Sequence, residues 1–150
     1  MSPRLALPAF LVLVLGGGLL IGAVNAPGTW YQQLAKPGFT PPGWVFGPAW
    51  TVLYILIGIA GWRTWQRNRN ALPMKLWWAQ LALNFLWSPV FFSAHWIGAA
   101  LGVIVLMLAS IVGFIFATWK SDRAAAGMFV PYAAWVSFAT TLNASIFTLN

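Results

Sequence analysis

The sequence predicts an all-α integral membrane protein, a bundle of five transmembrane helices, and three observations predict it. The 150 residues are 61% hydrophobic and only 6% charged, against about 25% charged in soluble domains. The apolar residues gather into five runs cut off by polar or proline-rich punctuation, each about long enough to cross a hydrocarbon layer roughly 30 Å thick. Nearly all the basic residues fall on one side of a bundle threaded in that way.

The first run, residues 5–24, follows a single arginine and is longer than the apolar core of a cleavable signal, so it is read as a permanent helix. The others cover residues 44–65, 75–92, 97–119 and 124–149, in one transmembrane domain. Unpaired backbone is costly in hydrocarbon, and the runs lack the alternation of barrel strands, so each is expected to be helical. The longest connection, residues 25–43, holds Pro27, Pro37, Pro41, Pro42, Gly28 and Gly38, which forbid a long helix. It also holds Trp30, Tyr31, Leu34 and Phe39, too apolar for a solvated tether, and is expected to fold over one end of the bundle as a lid.

Arg4, Arg63, Arg67, Arg69, Lys75, Lys120 and Arg123 share one side, and Lys36 alone takes the other. The bias puts the N-terminus in the cytoplasm and the lid and C-terminus outside. It favours the inner membrane of a bacterial cell and leaves the outer membrane open. Basic residues scattered between apolar runs suit topology and anionic lipid, not nucleic acid. Gly18 and Gly22, and Gly98 and Gly102 with Ala109 and Gly113, stand at helix-packing spacing. Packing within one bundle is the favoured reading of these, and a homodimer seam the alternative.

The polar residues exclude several chemistries. With no cysteine, one acid (Asp122) and one histidine (His95), the chain has neither a carboxylate pair nor a metal-ligand cluster nor a nucleophilic triad. No acid lies inside a span, which argues against proton-coupled transport. His95, near a helix end, is read as interfacial.

Aromatic surface is abundant instead: 11 Trp, 11 Phe and 3 Tyr. Trp62, Trp65, Trp77, Trp78, Trp96 and Trp119 lie near expected helix ends and are assigned to the interfacial belt. Three groups fit that role poorly. Trp50 and Tyr54 share a face of the second helix, Gln80, Asn84, Trp87 and Phe91 a face of the third, and Tyr132, Trp135, Ala139 and Asn143 a face of the fifth. Uncharged amides avoid lipid, so Gln80, Asn84 and Asn143 are expected to point inward. Spacing leaves two readings open: an aromatic core with amides bonding across helices, or a pocket for a large, flat apolar ligand.

The segments WYQQLAKPGFTPPGWVFGPAWTVLY (30–54), AQLALNFLWSPVFF (79–92) and VPYAAWVSFATTLN (130–143) resemble the tryptophan-rich sensory protein and translocator protein family, TspO/MBR, which includes the mammalian peripheral benzodiazepine receptor. The resemblance implies a five-helix bundle, often dimeric, that binds porphyrins, haem-like tetrapyrroles, sterols and aromatic drugs beneath the first loop. It implies Trp50, Trp87, Trp135 and Asn84 as pocket residues and Tyr31, Pro41, Pro42 and Trp44 as lid residues. Ala139 matches a small residue whose enlargement alters ligand binding in the family. Mammalian relatives follow the fifth-helix asparagine with tyrosine and a basic residue, whereas here Asn143 precedes Ala144 and Ser145, which favours a tetrapyrrole over a sterol.

The expected function is binding of porphyrin-like ligands in an aromatic pocket, for transport or stress sensing. The alternatives are light-dependent porphyrin degradation, in which the ligand supplies the photochemistry, and a structural or regulatory membrane partner with no ligand. No obligatory cofactor is implied. The expected partners are the lipid bilayer, a small hydrophobic ligand and a second copy of the chain.

Overall fold

The computed structural model describes residues 2–150, the side chain of residue 3 excepted, and every regular element among them is helical. The first span runs as α1 (Pro3–Leu11), a π-helical turn (Val12–Gly16) and α2 (Gly17–Val24). The lid contains one short helix, α3 (Thr29–Gln32). A 3₁₀ turn (Gly43–Val45) leads into α4 (Phe46–Asn68), the second span. The third is α5 (Leu72–Ser88), extended by a π-helical turn (Pro89–Ser93) that begins at a proline with no N–H to continue the ladder. Helices α6 (Ile97–Thr118) and α7 (Arg123–Leu149) complete the bundle.

Four stretches, Arg4–Val24, Gly43–Asn68, Ile97–Thr118 and Arg123–Leu149, are long and apolar enough to cross a membrane unaided. The third helix differs, because its α-helical part has 17 residues and carries Lys75, Gln80 and Asn84. It gains length from its π turn and polarity from amides that bond within the bundle, although the buried Nε2 of Gln80 has no partner among the described residues. Around the bundle the spans neighbour one another in the order first, second, fifth, fourth, third, with α2 closing the ring against α5.

Each span buries one face at helical spacing. In α6 the buried residues are Ala100, Ile104, Met107, Ile111, Phe114 and Thr118, alternating steps of four and three. Thr118 and Thr64 donate to the carbonyls of Phe114 and Ala60, both at 2.8 Å, so neither hydroxyl is stranded. Small residues allow rings to reach backbone. A Cβ on Gly18 would lie 2.4 Å from Cζ of Tyr54, and one on Gly17 would lie 2.8 Å from Cζ of Phe85. Gly18 therefore serves packing inside the bundle, the favoured reading of its spacing. Gly98 and Gly113 meet Phe147 and Leu76 within the chain, whereas Gly102 and Ala109 face outward.

One tryptophan assignment is overturned. Trp77 is fully buried, and its indole N–H donates to the Ile57 carbonyl at 2.9 Å. Its ring fits against Gly61, where a Cβ would lie 2.4 Å from Cε2. Trp78, Trp96 and Trp119 remain exposed, as belt residues would be.

At the end opposite the lid, Asp122 binds α4 to α7. It is 4% exposed. Arg63 donates to it through Nη2 at 3.0 Å and Nε at 3.1 Å, and Arg67 lies at 3.5 Å. The carboxylate also caps α7 by accepting from the Ala125 N–H at 3.3 Å. Burial alone would raise its pKa, but the Arg63 and Ala125 hydrogen bonds and the two arginine charges together hold it below the usual carboxylate value.

Candidate functional site: an aromatic cavity beneath the lid

A cavity of about 620 Å³ lies between the lid and the helices. Its walls follow from the three aromatic faces. Trp50 and Tyr54 of α4, Trp87 and Phe91 of the third span, and Trp135 and Ala139 of α7 all line it. Trp50 meets Trp135 edge to face, with centroids 6.5 Å apart at 89°, and Trp87 stacks on Phe91 at 5.0 Å. Indole rings from three different spans thus face one space, and the polar groups among them are few.

Each amide is fixed by a neighbour. Asn143 accepts from the Trp87 indole N–H at 3.0 Å and donates to the Ile97 carbonyl at 3.2 Å, which ties α5, α6 and α7 together at the cavity wall. Asn84 lines the cavity and donates to the Tyr132 hydroxyl at 2.7 Å, and that hydroxyl donates to Gln80 Oε1 at 2.8 Å. The chain of bonds leaves the Asn84 carbonyl oxygen available to a ligand. The Trp135 indole N–H has no partner among the described residues.

The lid supplies the remaining wall through Tyr31, Lys36, Thr40 and Pro41. It is fastened by Asn150, whose side chain accepts from the Ala35 N–H at 3.1 Å and donates to the Ala35 carbonyl at 2.9 Å. A second tether joins Ser93 to Asn25. Tyr31 packs edge-on against Phe91 and Phe92, and its burial raises its phenolic pKa, so it acts as a neutral hydroxyl.

Five residues expected at the site do not line the cavity. Gln80 and Tyr132 are fully buried behind Asn84, because their polar atoms bond to each other across α5 and α7. Trp30 stacks instead on His95, with centroids 3.9 Å apart and planes within 7°. His95 itself adopts a left-handed backbone conformation, at φ 61°. Pro42 precedes the 3₁₀ turn at the head of α4 as its N-cap, and Trp44 is 76% exposed, pointing away from the cavity. Sequence reasoning also missed several lining residues: Lys36, Phe46, Ser88 and Met107, with Gly18, Gly22 and Ala23 of the first span. The glycine spacing was a signal for the last group, since a helix with no side chain at those positions leaves room that a ligand or a ring can take.

Comparison with known proteins decides the family. The model of the TspO/MBR family matches residues 9–149. The chain belongs to that family. It is 38% identical to the tryptophan-rich sensory protein of Cereibacter sphaeroides over 135 residues, covering 90% of this chain and 85% of the relative. It is 38% identical to protein CrtK of Rhodobacter capsulatus over 133 residues, 86% and 83% of the two chains. The human translocator protein is 36% identical over 126 residues, 81% and 75% of the two. Membership in TspO/MBR, with the apolar helices, makes this chain a multi-pass integral membrane protein. No group of three or more metal-ligating side chains comes together among the described residues of this TspO/MBR chain. Its cavity offers ring faces, one amide oxygen and a lysine, a set suited to gripping a flat molecule and orienting its polar edge.

Proposed function

We propose that this TspO/MBR protein binds porphyrin-like tetrapyrroles in the cavity beneath the lid, for their transport or for sensing them under stress. The observation that carries the reading is the convergence of Trp50, Trp87 and Trp135, from three spans, on one cavity of about 620 Å³. That volume falls within the roughly 300–1,000 Å³ usual for small-molecule and cofactor sites. Ring faces attract a flat conjugated macrocycle by dispersion and offset stacking, and the few polar groups orient it. The departure after Asn143 disfavours a sterol.

An absorption titration of the purified protein in nanodiscs with protoporphyrin, against empty nanodiscs, tests the reading. Saturable binding that weakens when Trp50 or Trp135 becomes alanine supports it, and purely partition-like uptake sinks it. The position of the Trp135 ring at the cavity wall gives a second reading some support, since an oxidisable ring would lie against an excited porphyrin. A product formed under anaerobic illumination, and lost in Trp135→Phe, would favour light-driven degradation over carriage.

A further inference from the structure

We propose that Lys36 is a carboxylate hook at the cavity wall, and that the site therefore selects flat apolar ligands bearing an anionic edge over their neutral counterparts. The inference rests on the tetrapyrrole reading and narrows it to a chemical class.

Lys36 is the only charged residue lining the cavity among the described residues. The Nζ atom lies 4.5 Å above the centre of the Tyr31 ring, and donates to the carbonyls of Gln32 at 3.4 Å and Leu34 at 3.3 Å. An ammonium has three donors, so one remains after these two long bonds. Neutral carbonyls do not cancel its charge. The one acid in the chain, Asp122, is engaged by Arg63 and Arg67 at the far end of the bundle.

The position is half-buried, between the lid backbone and the cavity. There a charge is screened less than on an open surface and its long stem is already held by two carbonyls and a ring. Three other polar residues of the cavity wall are already committed. Thr40 donates to the Pro37 carbonyl at 2.7 Å, Asn143 uses both ends of its amide, and Asn25 bonds to Ile21 and Ser93. A ligand lying with its rings against Trp50, Trp87 and Trp135 would present its acidic substituents toward the lid. Lys36 is the one cationic group there, so it alone can meet them with both a hydrogen bond and an opposite charge, whereas the Tyr31 hydroxyl offers a neutral donor.

The test compares protoporphyrin, a dicarboxylic acid, with its dimethyl ester, which keeps the macrocycle and loses the charge. Both are titrated against wild type, Lys36→Gln and Lys36→Arg in zwitterionic nanodiscs at neutral pH, with empty discs as the partition control. The expected result is a preference of wild type for the diacid of about five- to tenfold, in line with a partly exposed charge-assisted hydrogen bond. Lys36→Gln should erase that preference while binding the ester as wild type does, and Lys36→Arg should restore most of it. Equal wild-type affinity for acid and ester, or a preference that survives in Lys36→Gln, overturns the inference and leaves the tetrapyrrole reading standing. Equal weakening of both ligands in Lys36→Gln would reduce Lys36 to a brace for the lid turn and also overturn it. Failure of wild type to bind either porphyrin removes the tetrapyrrole reading, and the hook with it.

Discussion

A lone carboxylate among eight basic residues is most stabilising where it meets several of them at once, and Asp122 meets Arg63 and Arg67 while capping α7. Its native pKa is lowered, so the stability it contributes is fully present above the ordinary carboxylate value near 4 and is lost as pH falls through the lower native value. Asp122→Asn keeps the cap and the volume but removes the charge. It should cost about 1–2 kcal/mol at pH 7, a charge-assisted bond discounted for the solvent exposure of Arg63. Thermal melts of both proteins across pH should converge only below about pH 4, and a constant gap down to lower pH would remove the ion pair as its cause. At the cavity, Ala139→Thr adds volume and a hydroxyl that can bond back along α7. Overpacking of about 1–3 kcal/mol is tolerable to a bundle but not to a shaped wall. Protoporphyrin affinity should therefore fall several-fold or more with the helical content unchanged. Unaltered affinity with a lower melt would place residue 139 in a helix seam. At this scale the sequence was legible for the inward amides, since Gln80, Asn84 and Asn143 are all buried. Which of them a neighbour would consume was not legible, because that depends on the Tyr132 hydroxyl crossing between α5 and α7.

Helix α5 meets α4 through a ring set in a glycine slot. Trp77 fills the space that Gly61 leaves and gives its N–H to Ile57, an arrangement that depends on the close backbone approach only glycine allows. Gly61→Ala is expected to displace that ring and cost about 1–3 kcal/mol. Gly127→Ala in α7, where an added Cβ meets nothing within 4 Å, provides the contrast. There alanine should be neutral or stabilising by up to about 1 kcal/mol, because glycine weakens a helix interior. Melts of the two variants in one detergent check both, and similar shifts would show that helix propensity rather than the slot governs them. The five helices were legible as apolar runs, with ends displaced by up to three residues. The second helix, for example, was expected to stop at residue 65 and runs to Asn68, with Arg63 and Arg67 of its last turns paired to Asp122. Trp77 was misread by its distance from a helix end. Its face gave the better signal, since Met74, Trp77, Gln80, Leu81 and Asn84 form one buried stripe.

On the scale of the molecule, the two ends differ in chemistry: one carries seven basic side chains, and the other carries the lid with Lys36. The charge asymmetry supports an orientation with the lid outside the cytoplasm. Single cysteines at Gln33 and Gln66, both exposed, should react with a membrane-impermeant maleimide from outside and only after permeabilisation, respectively. Reversed labelling in intact cells would invert the topology. The bundle was legible because lipid demands continuous apolar helices, and the three aromatic faces were legible by period. The lid's interior geometry was not. Prolines forbid structure without dictating which residue turns inward, so Tyr31, Lys36 and Pro41 reach the cavity while Trp30, Pro42 and Trp44 do not. The division of the tryptophans has an optical consequence. Trp77 lies dry and hydrogen-bonded in the core, off the cavity, whereas Trp50, Trp87 and Trp135 border it. A filled cavity should quench and shift the emission of the second set first, while the Trp77 contribution keeps its wavelength until the helices separate. The protein therefore contains, within one spectrum, a reporter of occupancy and an internal reference for the integrity of the bundle.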